Sequence, residues 1–515
     1  MTRRRAWLLA LLGGVLLAAS YPPFPLPFLS FVAIVPAVVL LFDAAGDPRR
    51  AYRHGFRYGL VSQAIVLYWM IVALWHFTPM AALGYAITVF MLGVFTGGLF
   101  WFVTRVSLAF PRVPVALTFP VAWTALEWAI EHLGDVAFPW LGLGTSLADA
   151  PVLVQWADIA GARGVTFWLV WCNVMVVSAL IGKGEAGRVR IVKRLVPLAL
   201  SVAAVWGYGA WRERTLPLRE VGKVALIQPN IGFHDKWVPE RADSEVGTLL
   251  GLSRDALLVI RPDLIIWPEA ALPYFLTERP QWQAQISQLV RDSHTPILTG
   301  GLHVRFESEG HYQTYNAAFL FDSTGAWATH PVYLKHYLVP VVERVPFVPV
   351  RWFRALPGLS RWSGGFGRGT ELPVYETSLG RFGVIICYES TFEDLPRRYR
   401  AEGTDFLVNI TNDAWYGRTA ATYQHVSHLV LRAIETRMGI ARAANSGISE
   451  LVDPLGHASA QTRLETQAAV TARLRTSDVI PLYVRWGDWV GRLCALATLA
   501  GVIGLVVARR RVAAP

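Results

Sequence analysis

Apolar stretches long enough to cross a bilayer recur along this chain, and the loops between them alternate between basic and nearly uncharged. The runs fall at 6–19, 24–42, 58–75, 81–103, 113–130, 166–181, 195–211 and 489–508. Each is near the ~20 residues that span the hydrocarbon core, allowing for shorter or tilted segments. With 53% of its 515 residues hydrophobic and only 17% charged, the chain is too apolar for an ordinary soluble enzyme. The pattern predicts a multi-pass α-helical membrane bundle with eight spans.

The basic residues set the orientation. Arg3 to Arg5 precede the first run, Arg49, Arg50, Arg53 and Arg57 follow the second, and Arg105 and Arg112 follow the fourth. Lys183, Arg188, Arg190, Lys193 and Arg194 follow the sixth, and Arg509 to Arg511 follow the eighth. By the positive-inside rule these loops are cytoplasmic, both termini included, and the long polar stretch after the seventh run is outside. The first run has the charge and small-residue pattern of a signal peptide, but the runs behind it favour an uncleaved anchor. The net charge of +11 sits largely in these cytoplasmic loops, where anionic headgroups account for it, and it makes no case for nucleic acid. Glu127 falls within the fifth run, so it should face the bundle interior or a wet cavity.

Three segments follow: a membrane part at 1–211, an outer domain at 212–483, and a last span with a cytoplasmic tail at 484–515. In the outer domain short apolar runs at 224–227, 264–267, 297–299, 317–321, 384–386, 406–410 and 451–452 alternate with helix-length segments near 240–260, 281–292 and 423–438. That is an α/β pattern with buried strands. Three strand ends carry reactive groups: Trp267-Pro268-Glu269, the segment Val332-Tyr333-Leu334-Lys335, and Ile386-Cys387-Tyr388-Glu389. Cys387 is the one cysteine in the outer domain, the other two, Cys172 and Cys494, lying in apolar runs. A lone thiol in an oxidising compartment has no internal disulfide partner, and at a strand end it is a candidate nucleophile.

In that order and at spacings of roughly 50 to 70 residues, these motifs resemble the Glu-Lys-Cys triad of the nitrilase superfamily. With membrane spans on both sides, the whole chain is similar to the apolipoprotein N-acyltransferase family. Phe138-Pro139-Trp140, Gln228-Pro229-Asn230, the stretch 337–347 with Glu343, and 409–415 with Asn412-Asp413 extend the likeness. It implies a nitrilase-like αββα sandwich outside the membrane, with Glu343 supporting the triad and Glu389 orienting its loop.

The chemistry follows from the residue types. A thiol needs a base or a cation to become a nucleophile. Glu269 can take its proton and return it to a leaving group, while Lys335 stabilises the thiolate and then an oxyanion, with the Tyr388 amide as a second donor. His425 and His428 have helical spacing, but no acidic or cysteine ligand stands at a recognised spacing beside them, so no metal is expected. No organic cofactor is expected either. Residues 364–369 do not form a dinucleotide fingerprint and read as a mobile loop. Residues 351–368 mix Trp352, Phe353 and Trp362 with arginines, as a lid dipping into headgroups would, and Trp415 is a candidate second wall.

The expected reaction is acyl transfer from a phospholipid, through a Cys387 thioester, to the α-amine of a diacylglyceryl-cysteine lipoprotein at a bacterial inner membrane. The alternatives are a membrane-tethered carbon-nitrogen hydrolase using water, and a transporter or lipid-binding protein with an inactive outer domain. Oligomeric state and lipid preference leave no mark in the sequence.

Overall fold

The computed structural model describes residues 1–75, 81–181, 187–308, 311–347 and 365–513. The chain divides into two compact units, one formed by Met1–Thr215 with Trp486–Pro515 and the other by Leu216–Arg485.

The first unit is helical: α1 Arg3–Ser20, α2 Val35–Asp43, α3 Pro48–Val66, α4 Trp69–Trp75, α5 Ala81–Ala109, α6 Val115–Glu131, α7 Ala157–Ile181 and α8 Gly187–Thr215, with a C-terminal helix Trp489–Ala513. Among the described residues only four helical stretches are long and apolar enough to cross a membrane: Ala82–Ala109, Ala157–Ile181, Ile191–Thr215 and Trp489–Arg510. The bent pair Pro48–Val66 and Trp69–Trp75, at 56° to one another, would make a fifth if it is one span. The expectation of eight spans is therefore wrong, for reasons visible in the failing segments. The run at 6–19 lies in a helix whose first turn is Arg3-Arg4-Arg5. Prolines break the run at 24–42 into a 3-10 turn, Pro27–Phe31, and the nine-residue α2. The run at 113–130 becomes the 17-residue α6, with Pro120 inside it and Glu127 and Glu131 near its end.

Glu127 faces the interior and is saturated there. Its carboxylate accepts from Trp123 Nε1 at 3.0 Å, Leu143 N at 3.0 Å, Thr166 Oγ1 at 2.9 Å and Arg163 Nη1 at 3.0 Å, and Arg163 also reaches Glu131 at 2.6 Å. The group fastens α6 to the loop before α7 and to α7 itself. On α8, Arg212 pairs with Asp158 of α7 at 2.8 Å, and Trp489 Nε1 of the C-terminal helix donates to Ile159 O at 2.9 Å.

The second unit contains β1 Arg219–Gln228, β2 Leu264–Ile266, β3 Leu272–Phe275, β4 Ile297–Ser308, β5 His311–Phe321, β6 Tyr333–Leu334, β7 Tyr375–Thr377, β8 Gly380–Ile386, β9 Phe406–Thr411, β10 Gly439–Ala444, β11 Glu450–Val452, β12 Ala458–Ser459 and β13 Ala468–Thr476. Its helices are α9 Ala242–Val259, α10 Pro280–Ser293, α11 Asp394–Ala401 and α12 Ala420–Thr436. A seven-stranded sheet runs β13-β1-β2-β4-β5-β6, with β3 on β4, and a six-stranded sheet runs β12-β11-β10-β9-β8-β7.

Side-chain alternation along each strand sorts residues between two cores. Val224 and Leu226 of β1 join Leu264, Ile266, Val384, Ile386, Val408 and Ala441 in the layer between the sheets. Ala225 and Ile227 instead meet Val246 and Leu249 of α9 and Ile286 of α10. Helices α11 and α12 contribute Leu395, Tyr399, Leu429 and Ala433 to the second sheet. The unit is an αββα sandwich, and the parallel core strands β2 and β8 both end where the candidate site begins.

Candidate active site

Strand β8 is apolar and buried through Ile386, and the chain then turns sharply. Cys387 adopts φ +53°, in the left-handed region, and opens a 3-10 turn, Cys387–Thr391. A non-glycine residue there is strained and must be held by its surroundings. Ser390 Oγ donates to the Cys387 carbonyl at 3.0 Å, and His425 Nε2 lies 3.0 Å from the same oxygen. Burial, reinforced by the Glu269 carboxylate, holds the Cys387 thiol well above its ordinary pKa against the pull of Lys335. The resting group is a thiol, so a base must act.

Glu269 follows β2 by way of Trp267 and Pro268. Its Oε1 accepts from Lys335 Nζ at 3.0 Å and from Asn316 Nδ2 at 2.7 Å, and its Oε2 accepts from Asn412 N at 2.8 Å. Lys335, fully buried after β6, also donates to Glu343 Oε1 at 2.9 Å. Burial works against the ammonium, but Glu269 and Glu343 outweigh it and hold Lys335 well above the usual lysine pKa. Glu343 is fixed by Val339 N at 2.8 Å and shares Asn316 Nδ2 at 3.1 Å. Gly369 N donates to the Lys335 carbonyl at 2.8 Å, and a Cβ there would collide with the Leu334 carbonyl. Residues 365–369, expected as a loose loop, are thus tied to the strand edge, Gly367 N also donating to Thr314 O at 2.8 Å.

Glu389 joins the two strand ends. Its carboxylate accepts from Ile386 N at 2.6 Å, Tyr333 Oη at 2.7 Å, His336 N at 2.5 Å and Tyr337 N at 3.1 Å. Burial pushes it up to about 7 despite those donors. Tyr388 is buried edge-on against Phe392, ring centroids 5.3 Å apart. Trp415, in the 3-10 turn Asp413–Tyr416, lies with its ring 6.3 Å from Phe233. The structure thus brings Glu269, Lys335, Glu343, Cys387 and Glu389 together. Trp352, Phe353 and Trp362 lie outside the described residues.

Several members of this cluster were not singled out in the sequence. Asn316 bridges two carboxylates, yet a lone Asn in the middle of a strand carries no warning. In the sequence His425 reads only as a metal ligand lacking partners, and the fold brings ligand-type atoms of Cys387, Asp413 and His425 within 4.8 Å of one another. The set suits hydrogen bonding better than a cation. Asp413 Oδ2 is taken by Arg442 at 2.6 Å, and Asp413 Oδ1 by Thr411 at 3.0 Å and His425 Nδ1 at 3.0 Å. Arg442 Nη2 stands 3.3 Å from His425 Nδ1, so a fixed guanidinium already fills the role of counter-charge. Burial notwithstanding, Arg442 and His425 hold Asp413 at about 2. The separation in sequence from 413 to 442 hides this group.

Parts of both units resemble known protein families. Residues 223–482 match the carbon-nitrogen hydrolase family, and residues 13–175 match the apolipoprotein N-acyltransferase N-terminal domain. Apolipoprotein N-acyltransferase of Geobacter metallireducens is 34% identical, covering 99% of this chain and 96% of its own. That of Chlorobaculum tepidum is 31% identical, covering 98% and 97%. Among solved structures, an amidase from Nesterenkonia sp. covers 53% of this chain and 95% of its own at 15% identity and a TM-score of 0.36.

Proposed function

The chain belongs to the apolipoprotein N-acyltransferase family, membrane-associated enzymes of the carbon-nitrogen hydrolase superfamily, and from that premise we propose that it moves an acyl chain from a membrane phospholipid to the N-terminal α-amine of a diacylglyceryl-cysteine lipoprotein. The observation that carries this reading is the buried Glu269-Lys335-Glu343 group beside a thiol held at a strand end.

In the first half-reaction Cys387 Sγ attacks the ester carbonyl carbon of the phospholipid as Glu269 takes the thiol proton. Lys335 Nζ and the Tyr388 amide stabilise the oxyanion. The ester C–O bond then breaks, Glu269 returns the proton to the departing alkoxide, and a lysophospholipid leaves behind a thioester. In the second half the free α-amine attacks the thioester carbonyl and gives its proton to Glu269. The C–S bond breaks, the sulfur recovers the proton, and the acyl chain remains as an amide. Glu343 keeps Lys335 cationic and pointed at Glu269, and Glu389 sets the distance between the lysine segment and the cysteine turn.

We place the unit Leu216–Arg485 on the periplasmic side of a bacterial inner membrane. The helices that flank it in sequence, Ile191–Thr215 and Trp489–Arg510, carry their larger basic clusters at the ends remote from it, Arg188 to Arg194 and Arg509 to Arg511, against Arg212 and Arg214 at the near end of the first, and that excess supports this orientation. Incubating the enzyme with acyl-labelled phospholipid and a diacylglyceryl-cysteine peptide tests the reading. Label should appear as an N-acyl group on the peptide. Label released only as free fatty acid would make the enzyme a hydrolase and end the transferase reading.

A further inference from the structure

His425, on the second turn of α12, is completely buried. A buried histidine with a satisfied ring is ordinary, and what sets this one apart is the atom it meets. Its Nε2 stands 3.0 Å from the carbonyl oxygen of Cys387. A carbonyl oxygen only accepts, so Nε2 carries a proton and donates it there. The other side of the ring is held as firmly, with Nδ1 3.0 Å from Asp413 Oδ1 and 3.3 Å from Arg442 Nη2. Arg442 is itself fixed in β10. Its Nη1 donates to Asn409 Oδ1 at 2.6 Å, its Nη2 to Asp413 Oδ2 at 2.6 Å and its Nε to Ile448 O at 3.1 Å. Ser390 Oγ is a second donor to the Cys387 oxygen, at 3.0 Å.

Two donors on that oxygen fix a peptide plane. The Cys387–Tyr388 bond is trans, so its carbonyl and its N–H point to opposite sides of one rigid plate. Holding the Cys387 oxygen toward His425 therefore aims the Tyr388 N–H the other way. The hold is needed because Cys387, at φ +53°, has a conformation that a non-glycine residue leaves unless its surroundings keep it there. A hydrogen bond accepted at the carbonyl also polarises the amide and strengthens its N–H as a donor.

We propose that His425, assisted by Ser390, is a positioning residue for the oxyanion: by holding the Cys387 carbonyl it sets the direction of the Tyr388 amide. The inference rests on the reading of Cys387 as the nucleophile, and on no particular acyl donor or acceptor.

Two reactions of the full chain in detergent separate this role from a merely structural one. Acylation by p-nitrophenyl butyrate, followed as the burst of p-nitrophenolate, passes through an oxyanion. Alkylation of Cys387 by iodoacetamide, followed by mass spectrometry of its peptide, develops none. His425→Gln keeps an amide N–H as far from Cβ as Nε2 stands, whereas His425→Asn carries one only as far as Nδ1. In His425→Asn the burst rate at saturating ester should fall by about 10²-fold, with the half-saturating concentration little changed. His425→Gln should win back about tenfold or more of that loss. Alkylation should stay within about threefold of wild type in both, since displacing iodide calls on no oxyanion donor. Ser390→Ala should slow the burst by a smaller factor and leave alkylation alone. A wild-type burst rate in a folded His425→Asn, equal losses in the Asn and Gln variants, or alkylation that falls in step with the burst would overturn the assignment. Should the histidine variants fail to fold, Ser390→Ala decides on the same pair of rates. No burst from wild type would remove Cys387 as nucleophile and this proposal with it. The expected pattern in an enzyme that moves no acyl chain from phospholipid to peptide would end the transfer reading and leave the role of His425 standing.

Discussion

Lys335 sits between two carboxylates with no exposure to water, an arrangement that only works if every partner stays in place. Removing a charge from it leaves the others buried and uncompensated. Glu269→Gln keeps the shape but cannot accept the thiol proton, so acylation of Cys387 should slow by roughly 10²–10⁴-fold. Stopped-time mass spectrometry of the acyl-enzyme measures this, and a near-normal rate would take the role of base away from Glu269. A second residue gives a test by pH. Glu450 is fully buried beside Gln461, and burial raises it to about 7. Since its folded pKa exceeds the unfolded value, its contribution to stability is complete below about pH 4.3 and is lost as pH rises through about 7. Glu450→Gln should therefore be more stable than wild type at pH 8, by on the order of 3–4 kcal/mol, and the difference should shrink toward pH 4. Denaturant titrations across that range check it, and a constant difference would mean Glu450 is not the titrating group.

At the level of elements, the site depends on two strand ends being held at a fixed separation by Glu389 and by the backbone at Gly369. Gly369→Ala would drive a methyl into the Leu334 carbonyl and displace the strand that ends in Lys335. A shift of about 1 Å near reacting groups can cost on the order of 10² in rate, so activity should fall well out of proportion to a modest drop in melting temperature. In Gly367→Ala the atoms nearest the new methyl belong to the side chains of Tyr315 and Gln313, which can move, so that variant should be milder. Equal effects on rate from the two variants would contradict this role for Gly369. The strands that build the site were legible where a continuous apolar run ends in a reactive group, as at β2 and β8. Strand β10 was not, because Arg442 stands in its middle and a buried guanidinium reads as a surface residue until its partners Asp413 and Asn409 are seen. The left-handed turn at Cys387 was equally hidden, since nothing local requires it.

For the molecule as a whole, hydropathy found where the membrane helices are and overcounted them. It registers the apolar content of 24–42 and 113–130, but not the breaks at Pro27 and Pro36 or the load of Glu127 and Glu131. The asymmetry of basic residues around the outer domain does not depend on that count. A reporter fused after Gly182 should read cytoplasmic and one inserted near Glu220 periplasmic; the same side for both would contradict the placement of the domain. In the proposed reaction a lipid and a peptide must both reach Cys387. The most direct test is therefore mass spectrometry of the Cys387 peptide from full-length enzyme reconstituted with phospholipid. The account predicts one acyl chain on Cys387, matching the donor lipid and discharged as an N-acyl amide when the diacylglyceryl-cysteine peptide is added. N-acylated product formed by a Cys387→Ala enzyme at the wild-type rate, or by wild type with Cys387 never modified, would contradict it.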